Sequence, residues 1–317
     1  MSSRERISDV RLWRGIRVSD LIRVYKEIHG FTASSLYEAS EILKEGVKEA
    51  DLRFLSFTGN LVATGLRGLL AQLIDEGFFN VIITTCGALD HDIARALGGN
   101  YLKGYFEADD SELERIGIHR LGNVFIPRDS YGPPIESFVR ELVRKASSIK
   151  EEWGVRELLT LAGEALINDP NSIIGVARKH RIPIYVPGVV DGAFGTQLFI
   201  YSQFTSFKLN LLKDMKELSD LVFQSRKSLA LILGGGISKH HTIWWNQFKN
   251  GLDYAVYITT AVEWDGSLSG ARSKEAISWG KIKPNAKHVT VYGEASILLP
   301  ILTASLLEHF NNKQQNI

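Results

Sequence analysis

An α/β fold, with one parallel sheet of about six strands and helices on both faces, is what this sequence predicts, and three observations predict it. Short apolar runs alternate with stretches of helical spacing along most of the chain. The runs are apolar almost without interruption, as in Val81-Ile82-Ile83 and Leu229-Ala230-Leu231-Ile232-Leu233, which is how strands covered on both faces read. Polar, glycine-rich loops follow the runs, in the place where open parallel sheets hold their ligands.

The elements follow in order. Two helices open the chain, at 19–29, stopped by Gly30, and at 34–50. Strands are expected at 52–57, 80–84, 182–186, 228–233, 253–258 and 288–292. A helix at 61–76 places Leu66, Leu69, Leu70, Leu73 and Ile74 on one side. Another at 207–224 does the same with Leu211, Met215, Leu218 and Leu221. The stretch 100–134, with Asp109-Asp110, Pro127, Asp129, Gly132 and Pro133-Pro134, breaks the rhythm and reads as an inserted excursion. Periodicity resumes at Ile135, so 1–317 is taken as a single domain with N-terminal helices in 1–50. The whole is a Rossmann-like sheet.

Composition narrows the function. Lys and Arg number 37 against 36 Asp and Glu, a net charge of +1, without the basic excess that phosphate neutralisation leaves. A single cysteine, Cys86, excludes an intramolecular disulfide and a Cys-rich zinc site, and fits a reducing, cytoplasmic setting. Residues 1–14 are polar and charged, which predicts no signal peptide, and no apolar run is long enough to span a membrane.

The strand-end loops are the candidate site. They are Thr58-Gly59-Asn60, then Thr84-Thr85-Cys86-Gly87-Ala88 with Asp90-His91-Asp92, then Pro187-Gly188 with Asp191-Gly192-Ala193. Gly234-Gly235-Gly236 with Lys239-His240-His241 comes next, and Thr259-Thr260-Ala261-Val262-Glu263-Trp264-Asp265-Gly266-Ser267 last. Any one alone reads as turn chemistry; five after five strands point to a nucleotide site. Neither the G-x-G-x-x-G fingerprint nor the P-loop is present. His240 and His241 are adjacent rather than four apart, so no metal site is expected.

Glu275-Ala276-Ile277-Ser278-Trp279-Gly280-Lys281 is the most distinctive run. Glu275 and Trp279 share a face if helical, and Gly280 ends the helix. From spacing alone, Lys281 reads first as an exposed lysine at a helix C-terminus. The functional alternative is an amine nucleophile, which requires burial beside apolar groups to be neutral at pH 7.

These loops, in this order, resemble deoxyhypusine synthase. The similarity is closest over 228–299, through Gly234 to His241, Asn250 to Ile258, Asp265 to Arg272 and Glu275 to Ile282, and runs more loosely upstream to Phe54. The resemblance implies an NAD-dependent aminobutyl transferase, a homotetramer with active sites at subunit interfaces. It implies transfer from spermidine to a lysine of the translation initiation factor 5A precursor, without nucleic acid or membrane. It implies Lys281 as the nucleophile that carries the four-carbon unit as an imine, and His240 as the proton-transfer and orienting histidine. Trp279 is implied as a cation–π wall for the polyamine. Glu275 and Asp90 are implied as partners for its amines, with Gly266 and Ser267 beside them. Asn60, Thr85, Gly87, Asp191, Gly235, Thr260, Ala261, Asp265, Glu294 and Ala295 are implied to line NAD, Glu294-Ala295 standing where the family usually has Asp-Ala. Eukaryotic members carry acidic residues at the positions of Thr196 and Leu268, and Glu-Glu at Asp90-His91; in this the chain resembles archaeal members more closely. The N-terminal segment of eukaryotic members, which plugs a neighbouring site, is longer, so that plug is expected to be reduced or absent here. The missing carboxylates leave room for another polyamine or an agmatine-type donor, or for a non-catalytic NAD-binding protein; small-molecule aminobutyl transfer of the homospermidine synthase kind is a further alternative, since it shares every catalytic residue.

Overall fold

The computed structural model describes residues 6–314; residues 1–5 and 315–317, the ends of the expected 1–317 domain and part of the polar 1–14 stretch, lie outside the described residues. In chain order the elements are α1 (Val18–Ile28), α2 (Ala33–Glu49), β1 (Leu52–Phe57), α3 (Leu66–Asp75), β2 (Val81–Ile83) and α4 (Cys86–Ala96). The excursion follows as β3 (Leu102–Lys103), α5 (Asp110–Arg115), β4 (Ile118–Leu121) and β5 (Val124–Pro127). Then come α6 (Gly132–Ile149), β6 (Glu152–Trp153), α7 (Val155–Leu166), α8 (Ile173–His180), β7 (Ile184–Tyr185), α9 (Ala193–Ser202), β8 (Lys208–Leu209) and α10 (Leu211–Gln224). The chain closes with β9 (Ser228–Leu233), α11 (Gly236–Gln247), β10 (Leu252–Thr259), α12 (Glu275–Ser278), β11 (Ile282–Tyr292) and α13 (Ala295–Gln314).

Six strands form one parallel sheet in the order β11-β10-β9-β1-β2-β7, with helices on its faces. They are the six expected from the apolar runs. All six residues of β9 are buried, which is why its sequence shows no alternation. β11 starts six residues earlier than its apolar run, at Ile282, because Leu252 already pairs with Ile282 across the sheet.

Two helices begin later than their spacing suggests. The helix expected at 61–76 starts at Leu66, whose amide is taken by the Thr64 hydroxyl at 3.1 Å, and Gly59–Leu61 is a separate 3₁₀ turn. The helix expected at 207–224 is two elements. Lys208 and Leu209 pair in parallel with Glu152 and Trp153, and α10 begins where the Asn210 side chain accepts from Leu212 N at 3.0 Å. The 100–134 excursion is a small antiparallel sheet, β3-β5-β4, with α5 beside it.

The chain packs as two compact units. The first holds the described residues up to Phe54, with Phe223–Gly235 and those from Thr242 onward. In it α2 lies close on β9 and β10 because Gly46 has no Cβ, which would stand 2.8 Å from Leu229 Cδ1. Buried Ser40 and Ser305 join α2 to α13 through their hydroxyls at 2.9 Å, and Glu308 caps α1 by accepting from Val18 N and Ser19 N.

The second unit is Leu55–Val222 with Gly236–His241. Its buried hub is Asp92, 1 % exposed. The carboxylate accepts from Arg67 Nε (2.6 Å), Ser172 Oγ (2.9 Å), Ile173 N (3.1 Å) and Ile174 N (2.9 Å). It thereby neutralises a buried guanidinium and caps α8 at once.

Candidate active site

Lys281 is placed by backbone geometry before its side chain enters the argument. The helix before it is one turn, so Trp279 is the cap residue of α12 rather than a partner of Glu275 on a helix face. Gly280 follows at φ +67°, a left-handed conformation natural to glycine. Gly280 N then donates to Ile277 O and Lys281 N to Ala276 O, both at 2.9 Å, which completes a Schellman motif. The Lys281 carbonyl accepts from Leu252 N at 3.0 Å, and β11 begins at the next residue. Both peptide groups of Lys281 are therefore held, and only its side chain can swing.

That side chain is buried, with the residue 7 % exposed, which sets aside the solvated helix-terminus reading. Nζ lies 4.9 Å from the Trp279 ring centroid and 5.8 Å from that of Trp244. Among the described residues no carboxylate forms an ion pair with it. The Trp279 ring is 63 % exposed, so the indole wall is open on its far side. Glu275 is exposed at the start of α12.

The start of this segment is held too, by residues that sequence inspection missed. Thr290 accepts from Ser273 N at 2.9 Å and donates to Ser273 Oγ at 3.1 Å, and Ser273 Oγ lies 2.9 Å from His288 Nδ1. Tyr292 OH accepts from Arg272 Nε at 3.1 Å, and Arg272 pairs with Glu263. His288, Thr290 and Tyr292 alternate with valines, so they share one face of β11. The His-Val-Thr-Val-Tyr alternation was the available signal.

The remaining candidates of this unit lie in the loops after β9 and β10 and at the start of α13. A Cβ on Gly235 would stand 2.2 Å from Ser269 Oγ, so this glycine serves a loop-to-loop approach. Thr260 is exposed and Ala261 half-buried. Asp265 is exposed and accepts from Ser267 N at 2.6 Å; hydrogen bonds from Ser267 hold its carboxyl below the usual carboxylate range. Gly266 and Ser267 are exposed beside it, and Leu268 is half-buried. Glu294 accepts from Ser296 N at 2.9 Å and so caps α13, while Ala295 is buried in its first turn.

In the second unit the loops after β1 and β2 meet backbone to backbone. A Cβ on Gly59 would stand 2.7 Å from Gly87 C and from Ala88 N, and Thr85 Oγ1 accepts from Gly59 N at 3.0 Å. Asn60 is exposed and takes a 2.6 Å hydrogen bond from Thr58. Asp191 is exposed. Asp90, by contrast, is 1 % exposed. It accepts from Ala193 N (3.0 Å), Phe194 N (2.7 Å) and Tyr131 OH (3.0 Å), and burial raises its pKa. Thr196, at the start of α9, turns its hydroxyl back to Gly192 O at 2.9 Å. His240 is half-buried on α11. Its neighbour His241 has its pKa pushed down to about 4 by burial. Among the described residues no group of three His, Cys, Asp or Glu is placed to hold a metal ion. Nor is any helix long and apolar enough to cross a membrane.

The family model of deoxyhypusine synthase matches residues 20–306. The chain is 60 % identical over 303 residues to a Sulfurisphaera tokodaii protein named "Probable deoxyhypusine synthase", covering 96 % of this chain and 97 % of that one. It is 58 % identical over 305 residues to the Aeropyrum pernix protein of the same name, covering 96 % and 98 %. A solved structure from Entamoeba histolytica, described as "a putative deoxyhypusine synthase", superposes with a TM-score of 0.63 at 22 % identity, over 92 % of this chain and 93 % of that one. At that identity the likeness speaks for the fold.

Proposed function

The chain belongs to the deoxyhypusine synthase family, and on that premise we propose that it moves the aminobutyl group of spermidine onto a lysine of the translation initiation factor 5A precursor, with NAD as cofactor. The observation that carries the reading is Lys281: a buried residue whose amine lies 4.9 and 5.8 Å from two indole centroids, without a carboxylate partner among the described residues, on a backbone held at both peptide groups.

Each unit by itself offers groups that suit part of a dinucleotide. Thr260 and Asp265 are exposed in the loop after β10 of the first unit, and Asn60 in the loop after β1 of the second. α4 starts at Cys86 with no side chain capping its first amides, which suits an anionic group. When bound, NAD supplies the redox chemistry, accepting a hydride from the carbon beside the polyamine's secondary amine and returning it at the end. Lys281 Nζ attacks the oxidised carbon, holds the four-carbon unit as an imine and yields it to the acceptor lysine. The indoles of Trp244 and Trp279 line that imine, and the open face of Trp279 lies along the methylene chain. His240 carries the proton to and from the departing amine. Glu275, exposed beside Trp279 in sequence, pairs an ammonium.

An interface active site in a homotetramer agrees with the surface. On and just beyond α9, Phe199 is 65 % exposed and Phe204 80 %, an apolar surface of the kind a second copy covers. The cytoplasm is the compartment this reading implies.

The test is trapping. The protein is incubated with NAD and labelled spermidine, reduced with borohydride and mapped by peptide. Label on Lys281 is expected; label elsewhere, for instance on Lys239, or none with any polyamine, refutes the reading. Formation of homospermidine from putrescine without the protein acceptor would instead favour small-molecule transfer, which shares every catalytic residue.

A further inference from the structure

We infer that Asp90 and His91 are positioning residues, tying the loop after β2 to the start of α9 and to both roots of the 100–134 excursion, and that neither receives a substrate amine. The inference rests on the reading that this loop, with Thr85 and Gly87, holds the cofactor.

Asp90 is fully engaged. Oδ2 accepts from Ala193 N at 3.0 Å and Tyr131 OH at 3.0 Å, Oδ1 from Phe194 N at 2.7 Å, and the Cys86 thiol lies 4.0 Å from Oδ1. A carboxylate has about four acceptor sites, so a substrate ammonium would have to break buried bonds to reach it. The approach of α9 is equally close. A Cβ on Gly192 would stand 2.7 Å from Asp90 Oδ2 and 2.7 Å from Cys86 Sγ.

His91 serves the other side. Its Nδ1 is 2.8 Å from Tyr101 OH, and its ring centroid lies 5.6 Å from Tyr101 and 5.4 Å from Tyr131. Tyr101 directly precedes β3, and Tyr131 stands between the 3₁₀ turn after β5 and the start of α6. The excursion thus leaves and returns at one point on α4. Burial pushes the His91 pKa down to about 4, so the imidazole is neutral at pH 7 and offers no charge of either sign. Two adjacent side chains that could have faced a polyamine are instead engaged within the protein. They set the place of α4's first turn relative to α9 and to the excursion.

The experiment compares full-length wild type with Asp90→Asn, Tyr131→Phe, His91→Asn and His91→Leu. It reads NAD dissociation constants by fluorescence, donor KM at saturating NAD, and amide exchange across 102–127 in cofactor-free protein. Losing a charge-assisted amide cap in Asp90→Asn is expected to weaken NAD about tenfold or more, leaving donor KM within about twofold. Tyr131→Phe, which keeps the ring, is expected to weaken NAD by a few fold and to speed exchange in the excursion. It serves if Asp90→Asn does not fold. His91→Asn, which can keep the bond to Tyr101, is expected to retain affinity that His91→Leu loses. A tenfold rise in donor KM with NAD binding unchanged, in either Asp90→Asn or Tyr131→Phe, overturns the inference. Wild-type protein that binds no NAD refutes the reading of the loop itself, and the inference with it.

Discussion

Gly280→Ala tests whether the turn before Lys281 matters to chemistry or only to folding. No heavy atom lies within 4 Å of the added Cβ, so its cost is conformational. Holding an L-residue in the left-handed region costs roughly 1–2 kcal/mol. Reduced freedom of the unfolded chain returns roughly 0.4–1 kcal/mol. The net destabilisation is about 1 kcal/mol, or a melting shift of roughly 2 °C in a chain of this size. If φ relaxes instead, the two 2.9 Å bonds from Gly280 N and Lys281 N are lost and Nζ shifts against the indoles. A displacement of about 1 Å can cost on the order of 100-fold in rate. The chain supplies its own control at the end of α3. Gly77 has φ +71°, open space around it, and the same pair of bonds, Gly77 N to Ile74 O at 3.0 Å and Phe78 N to Leu73 O at 3.2 Å. Urea denaturation should show similar losses in Gly77→Ala and Gly280→Ala, while borohydride trapping on Lys281 slows only in Gly280→Ala. Equal trapping in both variants would show that the turn does not aim the amine.

Asp92→Asn should destabilise by roughly 1–3 kcal/mol, because the charge-assisted bonds from Arg67 and the first α8 amides are weakened while Asp169 still pairs Arg67 and Ser172 still caps α8; a calorimetric shift of under about 0.5 kcal/mol would contradict the hub. Acid should weaken the fold through His91 and His241, whose pKa values are pushed down to about 4 by burial. Between about pH 6.5 and 4 the unfolded chain binds these protons and the folded chain does not, so stability falls as pH falls, by up to about 3 kcal/mol per histidine. Asp214, raised to about 6 by burial, works in the opposite sense between about pH 4 and 6, so the histidine effect is read as a shallower acid limb in His91→Gln. The Cys86 thiol, pushed up to about 12 by burial, should resist alkylation at pH 8 until the protein unfolds, and Cys86→Ala should remain active; rapid labelling of native protein would refute this.

All six sheet strands were legible in the sequence, because a strand covered on both faces must be apolar throughout, and β9 is. The Lys281 run was legible as a motif, and its burial removes the exposed-lysine reading that spacing alone favoured. What spacing could not carry is contact through space. Asp90 reads as a loop carboxylate, yet its acceptors are filled by amides 103 and 104 residues away. The hold of β11 on Arg272 and Ser273 depends on which face of the strand meets them. The short strand β8 was hidden because Phe207, Leu211 and Met215 keep helical spacing across it, and only pairing with Glu152 and Trp153 reveals it.

β11 has one further consequence. It is the outermost strand of the sheet, eleven residues long, and such a rim invites strands from other molecules to join. Its first half carries Lys283, Pro284 and Lys287, with Lys283 drawn to Asp253 and Lys287 to Glu45, each at 2.6 Å. Proline cannot donate to an incoming strand, and the lysines meet it with charge. The opposite rim, β7, is only two residues long. The polar run that concealed the start of β11 therefore acts as a guard against aggregation, on the strand that begins one residue after Lys281.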